Sequence, residues 1–348
     1  MKRHLSLLLT LSIGLCAACA SKKADPNASD HPGAANPDPN AGGPGGPGGP
    51  AATPDELKKN PIEGIAPATL VLDTGAFTDG PIWSVKEGVL FFTTPLGAGG
   101  LYRMKPDGAT MKVRDGNAVT GEVPIGNTID RSGNLFTIEA KRIVKGGAAA
   151  DAGAPAPVAV GYDDVEAGVA AFDTLKDAVI SANGTIYMTD PGYFTAPIAN
   201  RIFRITPAGK VTVVEAFDDV PRPNGIALSP DGKTLYVGFS APSVGIKPFI
   251  RRYSVNGDGS LGEHAKFADV DMDQQPDGIE VDQGGNVFVA TKAGVTVFKS
   301  DATKIGVVAV PEQPTAMAFG DKDLKTLYIT TQGTKIFALH VNVPGIVQ

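Results

Sequence analysis

The sequence predicts an all-β chain folded as a six-bladed β-propeller. Three observations carry that prediction. Glycine and proline are abundant, 43 and 28 of 348 residues, while aromatic residues make up 7%, a balance that suits many short strands joined by turns better than a helical protein. One pattern then recurs: a short apolar strand, a turn with glycine or aspartate, a second strand rich in Leu, Tyr, Phe and Val, and a closing small residue or threonine. Its six copies are Ile82 to Thr94, Thr128 to Glu139, Val179 to Asp190, Ile226 to Ser240, Ile279 to Thr291 and Met317 to Thr331. A spacing of roughly forty to fifty residues is the period of a propeller blade.

Taken in order, the first predicted element is the strand Thr69 to Leu72, which precedes the first copy and is expected to pair with the last blade and close the ring. The turns inside the copies are hairpin signals, among them Asp130-Arg131-Ser132-Gly133-Asn134, Ser181-Ala182-Asn183-Gly184, Ser229-Pro230-Asp231-Gly232 and Asp282-Gln283-Gly284-Gly285-Asn286. Outer strands follow most copies, as in Gly100 to Met104, Arg201 to Ile205 and Lys335 to Leu339. About four strands per repeat is what a blade requires. A β-sandwich, or several small β domains, would not sustain one repeat to the C-terminus.

Ahead of the repeats the chain has a different character. Met1-Lys2-Arg3-His4 leads into an apolar run from Leu5 to Leu15, the layout of a secretory signal, and the run is too short to span a bilayer. Leu15-Cys16-Ala17-Ala18-Cys19 looks like a lipobox, with Cys19 as the acylated residue and Cys16 where leucine is usual. Residues 1–19 are therefore read as a lipoprotein signal, residues 20–61 as a disordered Pro/Gly/Ala-rich tether, and residues 62–348 as the propeller. Gly146 to Pro157 reads as a surface loop inserted into the propeller. The expected location is the cell envelope, with the lipid membrane as a partner through the anchor.

Composition excludes several functions. A formal charge of −6 and scattered lysines and arginines leave no basic surface for nucleic acid. Both cysteines, Cys16 and Cys19, lie in the signal segment, so the domain has no disulfide, thiol nucleophile or cysteine-bound metal. Of four histidines only His264 and His340 fall in the domain, which gives little material for a histidine-rich zinc site or a Ser-His-Asp hydrolase.

Aligning the copies on the inner strand sets Asp79, Ile125, Lys176, Asn224, Asp277 and Thr315 at one equivalent position, followed by Gly80, Gly126, Asp177, Gly225, Gly278 and Ala316. Innermost strands line the axis, so the first six side chains are expected to face one another at the channel mouth. Asp79, Asn224 and Asp277 bring two carboxylates and an amide oxygen together, a hard donor set that suits Ca²⁺, Mg²⁺ or Mn²⁺. Each of them alone could be an ordinary turn residue. Their shared register favours a site.

The blocks Thr78-Asp79-Gly80-Pro81-Ile82-Trp83, Arg222-Pro223-Asn224-Gly225 and Gln275-Pro276-Asp277-Gly278, with Asp177 to Tyr193 between them, resemble those of the SMP-30/gluconolactonase family. The resemblance runs from about Leu70 to Leu339 and implies a six-bladed propeller with a divalent cation near the axis, most often Ca²⁺, with Mg²⁺, Mn²⁺ or Zn²⁺ as alternatives. It also implies hydrolysis of a small-molecule lactone or ester of sugar-acid type. Carried over residue by residue, Asp79 stands for the family's glutamate ligand, Asn224 for its asparagine ligand, and Asp277 for the aspartate that binds metal and acts as general base. Lys176 and Asp177 fall where substrate is bound. Three departures stand out: Asp79 is one methylene shorter than glutamate, Lys176 replaces an active-site asparagine, and Glu139-Ala140-Lys141-Arg142 lacks an expected histidine. The expected activity is a metal-dependent lactone or ester hydrolase, and the rival is a non-catalytic propeller that binds a ligand or protein at the cell surface. A paraoxonase-like or strictosidine-synthase-like relative ranks below both.

Overall fold

A computed structural model describes residues 49–96, 99–146, 158–159, 164–165, 172–192, 200–217, 221–240, 247–271 and 275–347. The signal segment with Cys19, the tether as far as residue 48, residues 147–157 of the inserted loop, and Tyr193 lie outside them.

The repeats fold as antiparallel meanders, each a separate sheet. Blade 1 consists of Asp79–Ser84, Val89–Thr93, Gly100–Met104 and Thr110–Asp115. Blade 2 consists of Pro124–Ile129, Leu135–Glu139, Arg142–Lys145 and Val158–Ala159. Blade 3 runs Ala178–Ile180, Ile186–Asp190, Asn200–Ile205 and Lys210–Phe217, with Asp164–Val165 added in parallel at its outer edge. Blade 4 comprises Arg222–Leu228, Thr234–Ser240, Phe249–Val255 and Leu261–Asp269, and blade 5 Ile279–Val281, Val287–Thr291, Gly294–Phe298 and Lys304–Val308. Blade 6 has three C-terminal strands, Pro314–Gly320, Thr326–Thr331 and Lys335–His340, and takes Thr69–Asp73 as its fourth. That early strand pairs with Lys335–His340, so the ring is closed by the start of the domain as expected.

The innermost strands touch in the order of the blades, and that of blade 6 returns to that of blade 1. The chain is a six-bladed β-propeller. Each seam between neighbouring blades carries its own apolar cluster. At the seam of blades 2 and 3, Ile138, Ile143 and Phe136 meet Ile186, Met188 and Phe203, and at that of blades 5 and 6 Phe288 sets its edge against Phe319 at 5.3 Å. The core of the propeller is thus six thin layers, one at each seam between blades.

The domain begins earlier than the sequence suggests. Pro50 to Pro61, expected as the end of the tether, is bound to blades 5 and 6 and to the C-terminal tail. Gln283 accepts from the Ala52 amide at 2.7 Å and donates to the Pro50 carbonyl at 2.8 Å. Lys325 pairs with Glu56 at 2.7 Å, and Asn342 holds the carbonyls of Asn60 and Pro61. These contacts are polar, so a segment with little apolar surface can still be held.

Candidate active site at the propeller axis

The site is built where inner strands begin. In four blades the ladder between the first two strands shifts register there, between Asp79 and Ile82, Pro124 and Gly126, Pro223 and Ile226, and Pro314 and Ala316. Such a shift bends a strand and re-aims its side chains. In blades 3 and 5 the ladder is carried past the strand start by two bonds each: Lys176 N–H to the Thr189 carbonyl and Thr189 N–H to the Asp177 carbonyl at 2.9 and 3.0 Å, and Asp277 N–H to the Ala290 carbonyl and Ala290 N–H to the Gly278 carbonyl, both 2.9 Å.

The strand starts lock together through close approaches that need glycine. Gly80 has φ +50°, and a Cβ there would lie 2.3 Å from the Ile125 carbonyl oxygen. Hydroxyls fasten this seam and that of blades 3 and 4: Thr93 donates to the Ile125 carbonyl and Thr189 to that of Asn224, each at 2.6 Å. Asn127 donates to the Gly80 carbonyl at 2.6 Å and accepts from Thr137.

Of the six side chains expected at the mouth, Asp79, Lys176, Asn224 and Asp277 line one pocket, together with Asp177. Ile125 and Thr315 do not, and the expectation that all six side chains face one another at the mouth is corrected accordingly. Thr315 instead turns its hydroxyl to the Thr78 carbonyl at 2.7 Å and to the Thr330 hydroxyl, where it fastens blade 6 to blade 1. The position two residues further on lines the pocket in every blade: Pro81, Asn127, Ala178, Ile226, Ile279 and Met317. Sequence reasoning missed this second tier and Glu280 beside it, although the two-residue period of a strand points to it.

Asp79 is buried; one of its oxygens accepts from the Gly80 amide at 2.9 Å, and the other receives the Lys176 ammonium. The same Nζ lies 3.4 Å from Asp277 Oδ1. Lys176 thus spans the pocket from blade 3 to blades 1 and 5. Asp277 is pushed above the usual carboxylate range by burial, an effect opposed by the Lys176 charge and reinforced by that of Asp79. Asp177 is pushed up to about 7, again by burial first, with Lys176 pulling against it. Its carboxylate accepts from its neighbour Ala178 N–H at 2.9 Å and from Ile226 N–H at 3.3 Å across the seam, so it ties blade 3 to blade 4 as well as lining the pocket. Asp190, in the block after it, is a buried staple that accepts from the amides of Asp173 and Thr174 and pairs with Arg201 at 3.0 Å. Glu139, where a histidine was expected, is fully buried and held by Arg114 and Arg142, each at 2.5 Å.

The oxygen donors Asp79, Asn224 and Asp277 suit a hard divalent ion in kind. Two of their buried atoms, Asn224 Oδ1 and Asp277 Oδ1, take no aligned hydrogen bond among the described residues. The Lys176 ammonium, however, stands on two of the three donors. A unit charge and a divalent charge of like sign at about 4 Å repel by roughly 8 kcal/mol at an effective dielectric of 20. With Lys176 in this position the residues do not fit the ion.

Residues 77–333 match the profile of the SMP-30/gluconolactonase/LRE-like region. The chain belongs to this family. Within it, the chain is 31% identical over 177 residues to gluconolactonase of Zymomonas mobilis, which covers 46% of this chain and 48% of that one, so the match spans about half of the relative. It is 28% identical over 272 residues to pentonolactonase of Haloferax volcanii, covering 76% and 85% of the two chains. Among solved structures, a gluconolactonase from Xanthomonas campestris superposes with TM-score 0.66 at 24% identity over 81% of this chain and 91% of that one. Regucalcin from Agrobacterium tumefaciens, described as a calcium-binding protein, superposes with TM-score 0.63 at 18% identity over 82% and 98%. At such identities the superpositions establish the shared propeller and nothing finer.

Proposed function

We propose that this member of the family hydrolyses a lactone or ester of sugar-acid type in the axial pocket. The observation that carries the reading is the convergence of Asp79, Lys176, Asn224 and Asp277 from four blades on one pocket. The names of the Zymomonas and Haloferax relatives favour a sugar-acid lactone as substrate. Asp277 acts as general base: a water oxygen adds to the carbonyl carbon as its proton passes to the carboxylate, the carbonyl carbon–ring oxygen bond breaks, and the proton returns to the leaving oxygen. Water and lactone become one hydroxy acid. Lys176 and Asp177 flank the substrate, and the ammonium offers its charge to the carbonyl oxygen. The cation expected at Asp79, Asn224 and Asp277, Ca²⁺ first, would have to contend with Lys176 for two of its ligands, and the hydrolysis needs only Asp277, Lys176 and water.

The test is turnover of a panel of aldonolactones and aryl esters by the purified mature chain. Asp277→Asn should lower the rate by about 100-fold or more, the range for loss of a general base. Saturable binding of a lactone without turnover would replace hydrolysis with the ligand-binding reading, which the neutralising Asp79–Lys176–Asp277 bridge favours.

The proposal includes export and attachment to the cell envelope through acylated Cys19, supported by the signal and lipobox pattern of the first residues. Mass spectrometry of the mature N-terminus should find a lipid-modified Cys19. An unmodified N-terminus beyond Cys19 would refute it.

A further inference from the structure

We infer that Lys176 is the resident cation of this propeller, standing in for a divalent ion between Asp79 and Asp277. The position of the ammonium is built into the fold. The Lys176 amide is fixed to the Thr189 carbonyl at 2.9 Å, and the next residue, Asp177, is tied by its carboxylate to Ile226 of blade 4. The stem therefore leaves blade 3 from a rigid point at the axis. Asp79, which receives the ammonium, is itself fixed by the Gly80 amide and lies buried at the start of blade 1. Across the pocket, Asp277 Oδ1 completes the bridge at 3.4 Å.

Charge balance points the same way. Without Lys176 the pocket would hold the carboxylates of Asp79, Asp177 and Asp277 at its mouth, with Glu280 as a fourth in its lining and no cationic side chain among them, and an ion would be needed to screen them. With it, the two carboxylates that an ion would use already share a positive group. A divalent ion can enter only by displacing a partly buried, paired ammonium and leaving it beside a larger like charge. Removing that side chain should free three oxygen donors, Asn224 Oδ1 included, for the same ion.

Only the catalytic part of this inference, an ammonium that polarises the carbonyl, rests on the proposed hydrolysis. Its test is therefore a binding measurement on the mature chain, with Ca²⁺, Mg²⁺, Mn²⁺ and Zn²⁺ as probes, read by metal content after purification and by melting temperature. The wild type should carry no stoichiometric metal and melt at the same temperature up to millimolar ion. Lys176→Asn should bind one ion at least about 100-fold more tightly than the wild type, since removal of the ammonium relieves the repulsion, and its melting temperature should rise with ion concentration. Asp79→Asn added to that variant should abolish the rise. Should Lys176→Asn fold poorly, Lys176→Gln serves in its place, and the wild-type measurement stands by itself. One equivalent of metal in the wild type, or an ion-dependent melting temperature lost in Asp277→Asn, would overturn the inference; so would folded Lys176 variants that gain no metal. Turnover is scored separately: an inactive wild type that behaves as described would overturn the hydrolysis and leave Lys176 as the resident cation.

Discussion

Gly225 and Asp277 meet backbone to backbone at the seam of blades 4 and 5: the Gly225 amide donates to the Asp277 carbonyl at 3.0 Å, and a Cβ on Gly225 would fall 2.1 Å from that oxygen. The neighbour is main chain, which cannot swing aside as a flexible side chain would. Two of the pocket's residues, Asn224 and Asp277, are therefore spaced by a glycine that is not itself part of the pocket lining.

Gly225→Ala should force the seam apart and destabilise the domain by about 1–3 kcal/mol, the usual range for overpacking. Chemical denaturation measures it. Because Asn224 and Asp277 move with the seam, ligand binding in the axial pocket should weaken in the same variant. An alanine variant with wild-type stability would show that the close approach is not needed.

Glu139 joins blades 1 and 2 by holding Arg114 and Arg142 while wholly buried, and Arg142 reaches on to Glu122 at 2.7 Å. Glu139→Gln removes the charge but keeps the shape, which leaves two guanidiniums facing a neutral amide. Arg142 is partly exposed and can turn to water, so the loss should be about 2–4 kcal/mol, below that of a fully buried pair. Glu139→Gln with unchanged stability would mean that the two arginines are solvated independently of Glu139.

Much of this architecture was legible in the repeat. The alternation of short apolar strands and glycine turns located the blades, and equivalent register picked out Asp79, Lys176, Asn224 and Asp277 as pocket residues. Thr315 and Ile125 shared that register and still do not line the pocket. The ladder slips in blades 1 and 4, whose Asp79 and Asn224 line the pocket, as well as in blades 2 and 6, so the shift does not sort them; Thr315 is drawn instead to the Thr78 carbonyl and the Thr330 hydroxyl, contacts that no count along the chain reveals. The second tier, with Asn127 and Met317, lies two positions beyond the aligned residues, where the two-residue period of a strand places it. Pro50 to Pro61 was misread because hydrophobicity was the guide, whereas its fastenings run through Gln283, Lys325 and Asn342.

Asp282 lies in the turn between the first two strands of blade 5, fully buried, and its carboxylate accepts from the Asn286 backbone at 2.9 Å and side chain at 2.8 Å. Burial pushes it from 3.8 up to about 7. The folded state therefore keeps a proton that the unfolded chain releases near pH 4. Stability owed to this proton is full below the unfolded value and lost as the pH rises through about 7, by up to about 4 kcal/mol on an order-of-magnitude scale. Urea unfolding of wild type and Asp282→Asn at a series of pH values isolates the effect: the difference between them should shift in favour of the variant from pH 4 to pH 8. A difference independent of pH would show that Asp282 is ionised throughout.

The placement of the domain boundary yields the last prediction. Two forms of the chain are compared, one beginning at Gly49 and one at Ile62; both keep the strand Thr69–Asp73 that closes the ring. The shorter form loses Glu56 from Lys325, the Pro50 and Ala52 partners of Gln283, and the Asn60 and Pro61 partners of Asn342. Lys325 and Asn342 reach the surface, so water replaces what they lose at little cost. Gln283 is different, because it is buried and its side chain would keep, of these bonds, the one to the Gly345 carbonyl at 3.0 Å. A buried polar group left without its partner costs about 1–3 kcal/mol. The form that starts at Ile62 should therefore be less stable by about that amount, and Gln283→Leu should narrow the gap by removing the stranded amide. Equal melting temperatures for the two forms would return Pro50 to Pro61 to the tether.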